Sequence, residues 1–179
     1  MKATFSKAGA KYELAFERRL AHPVEKVWRV LTERELLNRW FPAEVAGEWK
    51  VGARLRFAFP GAEGEALPEG ELRGEVLAVD PPHLLEFRWS DSILRWELRA
   101  DGEGCRLSFT EFLDDPSKGA RSAAGWEMCL ENLELLAQGG ILAKFAWGVW
   151  RAKYSRYAKE FEAVHGRQQG PPENFSPAT

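Results

Sequence analysis

The sequence predicts an α+β domain: an antiparallel sheet of six or seven strands, covered on one face by a long helix and followed by a further helix. Three observations predict it. Apolar and polar residues alternate with period two in six segments between residues 12 and 112. Short turns join these segments, so the strands form an antiparallel meander with one wet and one covered face. A helical stripe then runs from Ser117 to about Gln138, and after such a sheet it buries its apolar side only by lying across the covered face.

The elements follow in order. Residues 1–11 are expected to be a flexible N-terminus. "YELAFERRL" (12–20) puts Leu14, Phe16, Arg18 and Leu20 on one face. Pro23 suits a helix start, where its missing N–H costs nothing. Val24, Val27, Trp28 and Leu31 then form a one-sided helical stripe. Thr32 and Glu35 have capping-box spacing for a second short helix, which Pro42 stops.

"ARLRFAF" (53–59) alternates Leu55, Phe57 and Phe59 against polar neighbours, and "GAEGEALPEG" (61–70) reads as a loop. "ELRGEVLAVDPP" (71–82) is a strand ending in a proline turn. "LLEFRW" (84–89) directs Leu85, Phe87 and Trp89 to one side, and "ILRWELRA" (93–100) directs Leu94, Trp96 and Leu98 inward. "DGEG" (101–104) turns the chain into "CRLSFTEF" (105–112). On the long helix, Trp126, Cys129, Leu130, Leu133 and Leu136 or Ala137 share a stripe, with Glu127, Glu131 and Glu134 toward the opposite side; Gly139-Gly140 ends it.

A second helical pattern (141–161, within an amphipathic segment 141–165) carries two aromatic or apolar bands. Trp147, Trp150, Tyr154, Tyr157 and Phe161 form one; Leu142, Phe145 and Val149 form the other. Two bands want two partners, so this segment packs on its own domain or serves a homodimer. Residues 166–179 have the composition of a disordered tail.

At 179 residues the chain is one domain by size. A net charge of −2 and a pI near 6.0 give no reason to expect nucleic acid as a partner. No apolar run reaches the roughly 20 residues that span a bilayer, and the N-terminus lacks an apolar signal core, so a cytoplasmic location is expected. Cys105 and Cys129 lack CxxC spacing and read as reduced thiols. His22, His83 and His165 are scattered, so neither a metal nor any other cofactor is expected. Nucleophile and phosphate-loop motifs are absent, and no catalytic residue is assigned.

The order of elements, with "HPVEKVW" (22–28), "NRWF" (38–41), "VGARLRF" (51–57), "GEVLAVDPPHLLEFRW" (74–89), "LRWELRADGEGCRLSFTE" (94–111) and "GWEMCLENLELL" (125–136), resembles the SRPBCC or START-like superfamily. Within it the chain is most similar to the branch of the C-terminal domain of the activator of heat-shock protein 90 ATPase. The resemblance covers residues 12–138 and implies a helix-grip fold, a curved sheet wrapped around the long helix. It also implies a cavity between the two. Residues from 141 onward depart from the minimal pattern. The separate N-terminal domain through which the eukaryotic co-chaperone stimulates its ATPase has no counterpart in this sequence, so that activity does not carry over.

The candidate ligand-lining residues are Trp28, Trp40, Phe41, Phe57, Phe59, Phe87, Trp89, Trp96, Phe109, Glu111, Trp126, Leu130 and Leu133. Large rings fill solid cores as readily as they line pockets; the superfamily's cavity favours the pocket, with Trp40 and Phe41 near its mouth. Alternation also puts Glu111 and Arg18 inward, where they either pair with each other or reach water at the sheet margin. Three functions compete. A small apolar or aromatic molecule bound between sheet and helix is the leading one. A cyclase- or aromatase-like enzyme of this fold would need convergent polar groups, for which Glu111 and Arg18 are the only candidates. A chaperone-cofactor-like interaction module would use the bands at 141–161.

Overall fold

The computed structural model describes residues 2–59 and 72–170. Among these residues eight strands form one antiparallel sheet: β1 (Thr4–Ala8), β2 (Lys11–Leu20), β3 (Glu44–Ala46), β4 (Arg54–Ala58), β5 (Leu72–Asp80), β6 (Leu84–Trp89), β7 (Ser92–Asp101) and β8 (Gly104–Leu113). Their spatial order is β1-β2-β8-β7-β6-β5-β4-β3. After β2 the chain crosses the sheet through α1 (Val24–Thr32) and α2 (Arg34–Trp40), starts again at the far edge, and walks back until β8 pairs with β2. A register shift between Val76 and Ala78 adds bend and twist where β5 meets β6.

The covered face is the one that alternation selects. Leu14, Phe16, Leu20, Leu55, Phe57, Leu85, Phe87, Leu94, Trp96, Leu98, Leu107 and Phe109 are all buried. The helix α3 (Gly119–Ala137) lies over them with Trp126, Leu130 and Leu133 buried. A second long helix, α4 (Trp147–His165), packs on the outer side of α3 and buries Trp150, Tyr157 and Phe161.

Close approach calls for glycine at Gly74 and Gly119, among other positions. A Cβ on Gly74 of β5 would lie 2.1 Å from the Arg88 carbonyl oxygen, and one on Gly119 would lie 2.6 Å from the Phe5 ring. Gly119 thus lets α3 start against β1.

The structure departs from the sequence reading in several places. Thr4–Ala8 is a strand paired with Lys11–Ala15, inside the segment expected to be flexible. Its residues alternate too briefly to register, and the pairing is completed by Phe5 meeting Phe161 at 4.9 Å and His165 at 4.6 Å. The helical pair breaks at Glu33, and no side chain caps α2; Thr32 instead donates back to the Trp28 carbonyl at 2.7 Å.

The further helix begins at Trp147, while residues 141–146 are irregular and held by Asn132, which bonds both the N–H and the carbonyl of Ala143. Of the expected tail, 166–170 packs back. Gln168 is buried, accepting from the Ala120 N–H at 2.9 Å and donating to the carbonyls of Pro116 and Gly166. Residues 171–179 and the loop expected at 61–70 lie outside the described residues.

Candidate functional site

Between the sheet and α3 the aromatic side chains form one continuous cluster, and three layers contribute to it. The α1–α2 pair contributes Trp40 and Phe41. Trp40 is fixed by donating its indole N–H to the Val30 carbonyl at 2.9 Å, and it meets Trp96 edge-on at 5.5 Å. Phe41 touches Phe57, Phe87, Trp89 and Trp126 at centroid distances of 6.4, 6.2, 5.1 and 5.6 Å. The sheet contributes Phe57 against Trp89 at 4.7 Å and Trp96 stacked on Phe109 at 4.0 Å. From α3, Trp126 closes the cluster against Phe109 at 4.8 Å. These are edge-on and offset contacts of the kind that add to simple burial.

The predicted ligand-lining residues separate into two groups. Trp40, Phe41, Phe57, Phe87, Trp96, Phe109, Glu111, Trp126, Leu130 and Leu133 are buried, whereas Trp28, Phe59 and Trp89 are half-buried. Trp40 and Phe41 therefore sit inside the cluster and not at a mouth. They are carried inward because α2 stops at Trp40 and the extended Phe41 turns toward the sheet. The surface is reached instead through Phe59 and Trp89, 5.6 Å apart, and through Trp49 beside Phe87. Trp28 is half-buried on α1 at the flank of the core.

One carboxyl lies within this apolar volume. Glu111, on β8, is 3% exposed, and its Oε2 accepts from the Trp126 indole N–H at 2.9 Å. Burial raises its carboxyl above the ordinary range, and hydrogen bonds from Ser92, Trp126 and Ser122 oppose that rise only in part. The alternation that placed Glu111 inward also places Arg18 inward, and Arg18 is 6% exposed. They do not pair. Across the β2–β8 ladder Glu111 lies opposite Leu14 while Arg18 lies opposite Leu107, four residues and about 13 Å further along the strand. Glu111 is held by its donors, whereas the unpartnered nitrogens of the nearly buried Arg18 keep a narrow opening to solvent.

A second buried carboxylate escaped the sequence reading. Glu127, placed on the outer side of α3, is buried because α4 covers that side. It accepts from Lys153 Nζ at 2.7 Å, from the Tyr157 hydroxyl at 2.5 Å and from Arg156. Burial alone would raise its carboxyl, but the bonds from Lys153 and Tyr157 and the two nearby cations hold it below the ordinary range.

Trp49 and Ser92 were also missed. Trp49 lies in an irregular stretch with no periodicity to reveal it, whereas extending the β7 alternation by one residue finds the buried Ser92. Burial pushes the Cys105 thiol up and the Cys129 thiol up to about 12, away from the thiolate form. Among the described residues no cluster of His, Cys, Asp and Glu could hold a metal ion, and no helix is long and apolar enough to cross a membrane.

Comparison with known proteins agrees with this architecture. No curated protein matches the sequence. Solved structures of the same fold include EF2215 from Enterococcus faecalis, a protein of unknown function, at TM-score 0.73 and 21% identity over 91% of this chain and 92% of that one. CalU16 from Micromonospora echinospora matches at TM-score 0.68 and 24% identity, over 89% and 94%. DynU16, a protein in the dynemicin biosynthetic locus, matches at TM-score 0.60 and 23% identity, over 72% of this chain and 48% of that one. The family model of the activator of Hsp90 ATPase homolog 1-like protein matches residues 21–138, the stretch from α1 to the end of α3 that builds the aromatic cluster, and the chain belongs to that family.

Proposed function

We propose that this protein binds a small apolar or aromatic molecule between the sheet and α3. The observation that carries the reading is a single carboxyl, Glu111, held by Trp126, Ser92 and Ser122 within a volume otherwise walled by rings. An apolar site with a few placed polar groups is the usual make-up of a small-molecule pocket. The origin of DynU16 in a biosynthetic locus supports the same direction. Because the rings touch one another, the guest enters by displacing the half-buried Phe59 and Trp89 and replacing their contacts with its own. Each Å² of apolar contact it buries is worth about 25 cal/mol. Binding and positioning are the whole of the proposed activity.

Native mass spectrometry of the purified protein tests this. The expected spectrum shows the chain with a co-purifying small-molecule adduct that denaturation releases. In parallel, titration with flat aromatic probes is expected to quench the fluorescence of Trp89 and Trp126 at saturation. A bare mass together with no saturable quenching by any probe overturns the reading.

A second reading is favoured by one observation: Ile141, Phe145 and Val149 are 94, 58 and 48% exposed at the α3–α4 junction. This exposed apolar stretch would then meet a second copy of the chain, which light scattering across a concentration series decides.

A further inference from the structure

Five polar or charged side chains are buried among the described residues: Arg18, Ser92, Glu111, Glu127 and Gln168. Four are well partnered. Ser92 bonds Glu111, Glu111 takes three donors, Glu127 takes Lys153, Arg156 and Tyr157, and Gln168 bonds three backbone groups. Arg18 is the exception. Its guanidinium donates once, from NH1 to the Glu17 carbonyl at 3.1 Å, and lies 5.4 Å from the centre of the Phe16 ring. No carboxylate among the described residues stands within ion-pair distance of it, since Glu17 itself pairs with Arg106 on the wet face. A guanidinium carries five N–H donors, and those left unpartnered at Arg18 face a narrow opening to solvent and not a carboxylate.

The setting of Arg18 points the same way. The inward rows of β2 and β8 run Leu14 with Glu111, then Phe16 with Phe109, then Arg18 with Leu107. The middle row is aromatic: Phe16 stacks on Phe109 at 6.2 Å, and Phe109 stacks on Trp96. The cation thus closes one end of the ring floor and the acid the other. At the cationic end, where β2 leads into α1, His22 buries its Nε2 with no hydrogen-bond partner among the described residues. Two polar groups at that end therefore keep hydrogen-bonding capacity that no described residue fills.

We propose that Arg18 is the anchor for an anionic group on the bound molecule, so that the ligand class is an apolar or aromatic acid whose rings lie over Phe16 and Phe109. This rests on the binding reading above and narrows it. Arginine suits the role because its planar fork takes a carboxylate or sulfonate through two parallel hydrogen bonds, and because it stays protonated throughout the physiological range.

Two probes with one ring system separate the ideas: 8-anilino-1-naphthalenesulfonate and its uncharged counterpart N-phenyl-1-naphthylamine, each titrated by fluorescence. The wild-type protein is expected to bind the sulfonate at least about tenfold more tightly than the neutral probe, the difference a charge-assisted hydrogen bond supplies. Arg18→Met is expected to abolish that preference. On the wild-type protein alone, 2-naphthoate is expected to displace the sulfonate probe at lower concentration than 2-naphthamide, and to shift the Arg18 Nε–H resonance as it binds. Equal affinity of the two probes, equal displacement by acid and amide, or a preference that survives in Arg18→Met overturns the role of Arg18 while leaving the binding reading intact. Failure of both probes to bind the wild type removes the two together.

Discussion

Replacing Glu111 by Gln separates the charge of the buried carboxyl from its shape. Burial raises the carboxyl above its ordinary value; the bonds from Ser92, Trp126 and Ser122 only partly offset this, and the nearby Asp91 adds to it. In the unfolded chain a glutamate titrates near about 4.3. Between that value and the raised one, the folded protein keeps a proton that the unfolded chain has released. Stability therefore falls as pH rises across this window, by up to about 1.4 kcal/mol per pH unit while the difference is one full proton. Below the ordinary carboxylate range both states are protonated and the penalty vanishes. A glutamine does not titrate; its carbonyl accepts from the Trp126 N–H as Oε2 does at 2.9 Å, and its amide donates to a serine oxygen. Urea unfolding, followed by tryptophan fluorescence at a series of pH values from about 4 to about 8, reads the difference. Wild type and Glu111→Gln are expected to lie closest at the acid end, with the variant gaining on the wild type as pH rises. A constant offset at all pH values, or a variant that loses ground with rising pH, refutes the reasoning that burial dominates at Glu111.

Glu127 should behave in the opposite sense. Its lowered carboxyl contributes stability that is present above the ordinary range and lost as pH falls through the folded value. Glu127→Ala, which removes the acceptor shared by Lys153, Arg156 and Tyr157 and leaves Lys153 only Glu131, is expected to cost about 3 kcal/mol near neutrality. Hydrogen exchange should show the loss first in α4, and protection of α4 unchanged from wild type would rule that out. In Gly74→Ala the new methyl carbon meets the Arg88 carbonyl oxygen at 2.1 Å, both on backbone that cannot yield cheaply. A loss of about 2 kcal/mol or more in thermal or urea unfolding is expected, and a variant as stable as the wild type would contradict the tight β5–β6 approach.

How much of this was legible in the sequence depended on whether one element or two decided a residue's environment. Alternation alone directs Phe57, Phe87, Trp96 and Phe109 inward, because a strand in a one-sided sheet has no other choice. It also directs Glu111 and Arg18 inward, and both are buried. Glu127 lies on the side of α3 that its pattern indicates, but its burial is created by α4, and neither helix's own pattern says which side of α3 the second helix covers. The strand at Thr4–Ala8 was missed for a related reason. Five residues of mixed polarity carry no period, and their order comes from Phe5 packing on Phe161 and His165, about 160 residues further along the chain. Trp40 and Phe41 were identified as members of the cluster but set at its mouth, since helix periodicity does not say how far α2 tilts into the sheet.

The same cluster explains why a filled interior and a proposed guest are compatible. Trp96 and Phe109 are at most 1% exposed and stack at 4.0 Å. Parting them would forfeit burial on both faces as well as the roughly 0.5–1.5 kcal/mol of the pair itself. Phe59 and Trp89 are half-buried and contact each other at 5.6 Å, so swinging them aside exposes less new surface, and an incoming ring replaces like with like. What the exchange cannot replace with rings is a counter-charge for Arg18. An apolar molecule that enters beside Trp89 and crosses the Phe109 floor gains area only in proportion to the rings it displaces, whereas one that carries an anion to Arg18 also supplies the counter-charge that this nearly buried guanidinium lacks among the described residues. The guest's charge, more than its shape, is where this interior has selectivity to offer.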